Sequence, residues 1–111
     1  MTSKVFPLSV VISVCHNRLV CSFDDYREFL DFMTGVNVPL WDVERARVAT
    51  ANRLRTLFSD LSKAPEPPEK TDSGNAGKYV RECVKAVGFS CVTVAPGRVK
   101  FAEQTLSGAL K

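Results

Sequence analysis

The stretch that decides the fold is the longest apolar run of the chain, residues 7–17, PLSVVISVCHN. As a strand it alternates, and one face collects four aliphatic side chains: Leu8, Val10, Ile12 and Val14. Its content of β-branched residues favours this interpretation. His16 and Asn17 would then turn the chain into a second strand, RLVCSF, at residues 18–23.

The same residues also suit a short helix. Pro7 fits the first turn, because its fixed φ and missing N–H are tolerated there. Asn17 would end the helix in a left-handed conformation. The apolar face of this helix would hold Leu8, Val11, Ile12 and Cys15. Both alternatives end at Asn17, so the sequence leaves them open.

Two longer helices are predicted next. Residues 22–35, SFDDYREFLDFMTG, predict a helix near 23–34 that Ser22 caps and Gly35 ends. Its apolar residues recur at helical spacing and should face the core: Phe23, Tyr26, Phe29, Leu30 and Met33. A second helix, near 42–61, begins with Asp42 as its cap. Its apolar face would hold Val43, Ala46, Leu54, Leu57, Phe58 and Leu61.

Arg47 is the exception on the second helix, since its angle places a guanidinium on the apolar face. Three explanations remain open. Arg47 extends its charged end from the edge of the core, the helix bends near residues 47–50, or the side chain reaches a partner.

Residues 63–78, KAPEPPEKTDSGNAGK, contain three prolines and no large apolar side chain. Such a composition does not bury enough surface to offset its ordering entropy. We therefore expect a flexible linker over 63–77. It separates an N-terminal segment, 5–62, from a C-terminal segment, 78–102, and the two should share one core.

The C-terminal segment predicts a helix from Lys78 to Val87 that Gly88 ends, followed by a β-hairpin. The hairpin strands would be FSCVTVA and RVKF, with Pro96 and Gly97 between them. Residues 103–111 predict a flexible tail. The expected fold is a single α+β domain over 1–111, with two to three helices on a short antiparallel sheet. This hairpin forms the sheet, and an N-terminal strand or hairpin can join it.

Bulk composition limits the classes of function. The chain has 111 residues, and 15 basic and 12 acidic side chains give a net charge of +3. Nucleic acid is therefore an allowed partner, although dedicated nucleic-acid binders are usually more basic. No apolar run approaches the roughly 18 residues of a membrane span. We expect a cytoplasmic protein without membrane contact, and four cysteines that are free thiols.

The sequence VCHNRLVC, residues 14–21, is the only stretch that suggests reactive chemistry. Zinc sites use cysteine pairs that are separated by two to four intervening residues, and no pair of cysteines here has that spacing. Cys15 and His16 are adjacent, so their side chains diverge on either a strand or a helix. There is also no phosphate loop and no metalloprotease motif. We expect no catalysis, no cofactor and no metal.

Short motifs in residues 7–47 resemble a family of small, uncharacterised proteins of tailed phages and prophages. The matching steps are Pro7-Leu8, Arg18-Leu19, Met33-Thr34-Gly35 and Arg45-Ala46. Asn17 stands where that family tends to carry Gly, and residues 40–44, LWDVE, replace its Thr-His-Gln-Leu-Pro. The resemblance brings no known activity. It implies a phage gene and an accessory role, of the kind in which small proteins block host defence enzymes, including CRISPR effectors.

We therefore expect an accessory protein that binds a host protein or ribonucleoprotein complex stoichiometrically in the bacterial cytoplasm. Trp41 is either a binding anchor or an apolar staple that holds the helix start to the core. The candidate partner-binding residues are Arg18, Trp41, Arg45, Arg47, Arg53 and Arg55. One alternative is a nucleic-acid-binding protein that uses Arg45, Arg47, Arg53 and Arg55. A second is a phage structural or assembly factor.

Overall fold

The apolar segment 7–17 is a helix, and the rest of the chain is arranged around it. The computed structural model describes residues 2–70, 72 and 74–100. The described residues form an α+β fold of four helices and one two-stranded antiparallel sheet. In chain order these elements are β1 (Lys4–Pro7), α1 (Leu8–His16), α2 (Phe23–Thr34), α3 (Val43–Leu57), α4 (Ala76–Val87) and β2 (Cys91–Val94).

Helix α1 is buried on almost every side. Seven of its nine residues are buried, and only Ser9 and the terminal His16 are partly exposed. A helix that is apolar all round belongs in a core, and α1 packs against α2, α3 and α4. Of the two structures that the sequence leaves open for residues 8–15, the helix is therefore the one that forms. The β-branched residues fail to decide the structure because tertiary burial outweighs their small propensity.

The turn after α1 is fixed from inside the helix. Asn17 adopts the left-handed conformation, with φ 53° and ψ 42°, and its N–H bonds to the Ser13 carbonyl. The buried Ser13 hydroxyl donates to the Ser9 carbonyl at 2.8 Å and accepts the Val20 N–H at 2.9 Å. This one hydroxyl thus links α1 to the chain that returns toward α2.

The sheet pairs a strand near the N-terminus with a strand that follows α4. Strand β1 lies antiparallel to β2, with Phe6 opposite Val92. The N-terminal strand therefore exists, but it ends at Pro7 instead of beginning after it. Phe6, Val92 and Val94 are buried and face the core.

The predicted C-terminal hairpin is wrong, because residues 98–100 do not form a strand on β2. Instead, the N–H groups of Gly97 and Val99 bond to the carbonyls of Phe32 and Met33, at 2.9 and 2.8 Å. The last turn of any helix has carbonyls without intrahelical partners, and this segment satisfies them for α2. Phe101, predicted on the return strand, lies outside the described residues.

Helix α2 spans the residues that the spacing predicts. The Ser22 hydroxyl accepts the Asp25 N–H at 3.1 Å, and Gly35 ends the helix with φ 75°. A Cβ on Gly35 would lie 3.4 Å from the Gly97 backbone, so the residue also permits the close approach of segment 97–99. Phe23 is the exception to the predicted core face, since it is 45% exposed.

Helix α3 is shorter than predicted. It ends at Leu57, and a 3₁₀ turn over Ser59–Lys63 replaces its expected last turn. Phe58 leaves the helical conformation, with φ −132° and ψ 79°. The centroid of its ring lies 6.1 Å from the ring centroid of Phe89. Leu61 still reaches the core through the 3₁₀ turn.

The segment 63–77 is hydrogen-bonded to the domain at several points. The Tyr79 hydroxyl donates to the Pro65 carbonyl at 2.8 Å, and Arg18 donates to the carbonyl of Glu69. Asn75 donates to the Lys70 carbonyl at 2.7 Å. Helix α4 begins within the predicted linker, at Ala76. The flexibility of this segment stays a prediction, as does the tail over 103–111, which lies outside the described residues.

Ser13→Ala should destabilise the fold, because it removes the hydrogen bonds of the buried hydroxyl and leaves the Val20 N–H without its acceptor. An unsatisfied buried donor costs about 1–3 kcal/mol, so urea unfolding should show a loss of that size. Ser9→Ala is the matched control, because only its backbone carbonyl is used in this network. Equal stability of the two variants would contradict the role given to Ser13.

Candidate binding surface on helix α3

Helix α3 has an inner side that belongs to the core and an outer side that is exposed. Ala46, Thr50, Ala51 and Leu54 are buried against α1 and α2. Five of the six sequence-predicted site residues lie on this helix or in the turn before it. The structure therefore decides which of them are available to a partner.

Arg47 lies on the inner side and is bound within the protein. Its side chain is only 13% exposed. It donates to the Val14 carbonyl at 3.0 Å, and its two other donors reach the Glu44 carboxylate at 2.8 and 2.6 Å. The bond to Val14 explains why a guanidinium sits at an apolar angle of α3. Because Arg47 donates two hydrogen bonds to Glu44, the pKa of that carboxyl is lowered.

Arg55 supports the same end of α1 from two turns further along α3. Its guanidinium donates to the Cys15 carbonyl at 2.7 Å. The carbonyls of Val14 and Cys15 are in the last turn of α1 and lack intrahelical donors. Cationic donors are favourable there, since the C-terminus of a helix carries a partial negative charge. Arg47 and Arg55 thus stabilise the packing of α3 against the C-terminal end of α1.

Asp42 and Arg45 fix the start of α3. Arg45 binds the Asp42 carboxylate through two nitrogens, at 2.9 and 2.7 Å. Asp42 is only 4% exposed, and a bidentate pair of this kind is both strong and directional. The pair holds the 3₁₀ turn Leu40–Asp42 against the first turn of α3.

Trp41 points away from the core. It is 64% exposed, and its neighbour Leu40 is 67% exposed. Trp41 therefore does not staple the helix start to the core. Val48, which is 44% exposed, lies on the same side of α3 as Arg45, because residues three positions apart share a helix face. We name the four residues Leu40, Trp41, Arg45 and Val48 the outer face.

Arg53 lines a groove of about 430 Å³ between α3 and the segment after β2. The groove wall opposite Arg53 carries Arg98 and Lys100. Arg98 and Lys100 were not predicted as site residues, because residues 98–101 were expected to form a hairpin strand. Leu40 and Val48 were missed as well, although the angle of Val48 opposite the apolar stripe of α3 was a readable signal.

Arg18 lies apart from the outer face, at the α1–α2 turn. It donates to the carbonyl of Glu69, in the segment 63–77. It also lines a cavity of about 280 Å³ together with Leu19, Phe23 and Tyr26. The structure therefore assigns Arg18 an internal contact and does not bring it together with Trp41.

Burial shifts the pKa values of the Cys15 thiol and the His16 imidazole in the stretch VCHNRLVC. Burial raises the pKa of the Cys15 thiol to about 11, whereas a nucleophilic cysteine needs a lowered pKa. Burial also lowers the pKa of His16. Within the described residues, no three histidine, cysteine or acidic side chains come together as metal ligands would.

The described residues form a small α+β domain with an exposed tryptophan in the turn before α3 and a basic groove beside α3. Residues 6–64 match the family described as a domain of unknown function, DUF7736. This match covers more than half of the chain, so the protein belongs to that family. The matched range contains α1, α2, α3 and the whole outer face, and it ends before α4 and β2.

Searches of curated proteins and of solved structures return no match. Among the described helices, none combines the length and apolar content that crossing a bilayer requires.

Arg47→Met should destabilise the protein by about 1–3 kcal/mol, because the Val14 carbonyl loses its donor. The exposed ion pair with Glu44 should add little to this loss. The control is Arg53→Met, because no side-chain hydrogen bond or ion pair of Arg53 is found within the described residues, and it should change stability by less than about 0.5 kcal/mol. Denaturant unfolding measures both changes. The structural role of Arg47 is wrong if the two variants are equally stable.

Proposed function

We propose that the protein acts by stoichiometric binding to a partner protein through the outer face, with Trp41 as the anchor. The observation that carries this proposal is a 64% exposed tryptophan on a backbone that is fixed on both sides. Tryptophan and arginine are over-represented among residues that dominate binding energies. The outer face contains both.

The fixed geometry of the turn favours this role. Pro39 precedes the turn, the Asp42 N–H bonds to the Pro39 carbonyl at 2.9 Å, and Arg45 holds the Asp42 side chain. An anchor that is already in place loses little conformational freedom on binding, which increases affinity. The indole is therefore presented to a partner without a preceding rearrangement of the backbone.

The outer face has a simple chemical pattern. Leu40, Trp41 and Val48 provide exposed apolar surface, and the Arg45 side chain, 39% exposed, lies between them. Its guanidinium is held by Asp42, so its charge is largely compensated. A complementary partner would offer an apolar recess for the indole, with polar groups at the rim.

The origin and target of this binding remain proposals that rest on the sequence resemblance. A phage or prophage accessory protein that inhibits a host defence complex, such as a CRISPR effector, would act through a surface of this kind. Nucleic-acid binding through Arg45, Arg47, Arg53 and Arg55 has less support, because three of these four donate hydrogen bonds within the protein. Phage assembly would show as sedimentation of the protein with virions.

Trp41→Ala should leave the fold intact and weaken capture of the partner by about 2 kcal/mol or more, roughly 30-fold. Circular dichroism and urea unfolding check the fold, and quantitative affinity capture from bacterial lysate measures the binding. Val5→Ala is the matched control, because Val5 is 56% exposed on the sheet, outside the outer face. Partners that both variants retain equally would not be bound through Trp41.

The only tryptophan of the chain also gives a direct readout. In the free protein, acrylamide should quench Trp41 fluorescence efficiently. In a complex with an isolated partner, quenching should fall and the emission should shift to shorter wavelength. Unchanged quenching in the complex would place the interface elsewhere.

A further inference from the structure

The groove beside α3 concentrates positive charge. Its volume is about 430 Å³, which is within the range of ligand sites. The residues that line it are Ala49, Asn52, Arg53, Thr56, Arg98, Val99 and Lys100. Three of these seven are cationic, and none is acidic.

No ion pair neutralises these cations within the part of the chain that the structure describes. The ion pairs found there involve Lys4, Arg45, Arg47 and Lys63. The Nε–H of Arg53 is buried and has no acceptor among the described residues. Like charges that converge on a concave surface raise the local concentration of anions. Among the described residues, the groove therefore combines converging positive charge with an unpaired donor.

The groove cations are presented from fixed backbone. The Val99 side chain is buried, and its N–H bonds to the Met33 carbonyl at 2.8 Å. Arg98 and Lys100 flank Val99 and are both exposed. Arg53 is carried by α3 on the other wall. The bond of Val99 to the end of α2 and the burial of its side chain thus position Arg98 and Lys100, and α3 positions Arg53.

We propose that this groove binds the phosphate groups of a single-stranded nucleic acid. A guanidinium fork pairs with phosphate oxygens through two hydrogen bonds, and a lysine contributes a compact point charge. Ala49 offers apolar contact to a sugar, and Asn52 adds a polar side chain. Charge complementarity selects an anionic strand, and the small concave shape suits a single strand.

This proposal goes beyond protein binding by the outer face and uses different residues. It also differs from the arrangement expected from the sequence, in which four arginines of one helix would contact nucleic acid. Of those four only Arg53 belongs to the groove, and Arg98 and Lys100 replace the other three. Arg98 and Lys100 lie outside the family match at residues 6–64, so the groove combines the family domain with the C-terminal segment.

The test uses a fluorescently labelled oligodeoxythymidylate and the full-length chain, with anisotropy measured over a series of salt concentrations. The variant Arg98→Gln/Lys100→Gln removes two groove charges at exposed positions, so it should fold normally. The matched control, Arg81→Gln/Lys85→Gln, removes two exposed charges from α4 and lowers the net charge equally.

The groove variant should bind at least tenfold more weakly at low salt, and the control should stay within about twofold of the parent chain. The slope of log affinity against log salt should fall in magnitude by about 1.4, since each phosphate contact on a single strand contributes about 0.7. Trp41→Ala should leave this binding unchanged, which separates the groove from the outer face.

Three outcomes would overturn the proposal. The parent chain would fail to bind the oligonucleotide at low salt, or both charge variants would lose affinity equally. Alternatively, polyglutamate of matched charge would compete as well as unlabelled oligonucleotide, which would make the groove a site for an acidic protein.

Discussion

The structure depends on burying one helix completely and satisfying its last carbonyls. Helix α1 has apolar side chains on all sides, so it is stable only when other elements surround it. The carbonyls of its last turn are then part-buried, and buried carbonyls without donors are costly. Arg47 and Arg55 of α3 supply those donors at Val14 and Cys15. This requirement fixes the position and rotation of α3 relative to α1.

The rotation of α3 determines what the protein presents to its surroundings. With Arg47 and the core residues of α3 directed toward α1, Trp41 in the turn before the helix and Val48 on the helix remain exposed. The same constraint places Arg53 along the segment that follows β2, which is itself held by the last carbonyls of α2. Helix-end hydrogen bonding therefore links the core, the outer face and the basic groove.

Local signals in the sequence predicted much of the fold. The Ser22 cap and the glycine stops at Gly35 and Gly88 act within a few residues, so α2 and the end of α4 follow from the sequence. The structure of residues 8–15 did not follow, because strand and helix patterns both fit an apolar run and only complete burial separates them. The hairpin failed for a related reason, since β2 pairs with β1 instead of with residues 98–100. Only part of the candidate site could be predicted from the sequence. Trp41 could be singled out by type, but the carbonyl acceptors of Arg47 and Arg55 lie more than 30 residues away.

Native-state hydrogen exchange tests most directly whether α1 is the element on which the fold depends. Amide protons that exchange only by global unfolding report the full free energy of unfolding. The account predicts that the slowest amides are those of Ile12, Ser13, Val14 and Cys15, and that their exchange free energy equals the value from denaturant unfolding. The contradicting result is a lower exchange free energy for these amides than for the amides in the middle of α4. In that case α1 opens locally, and the rest of the fold does not depend on it.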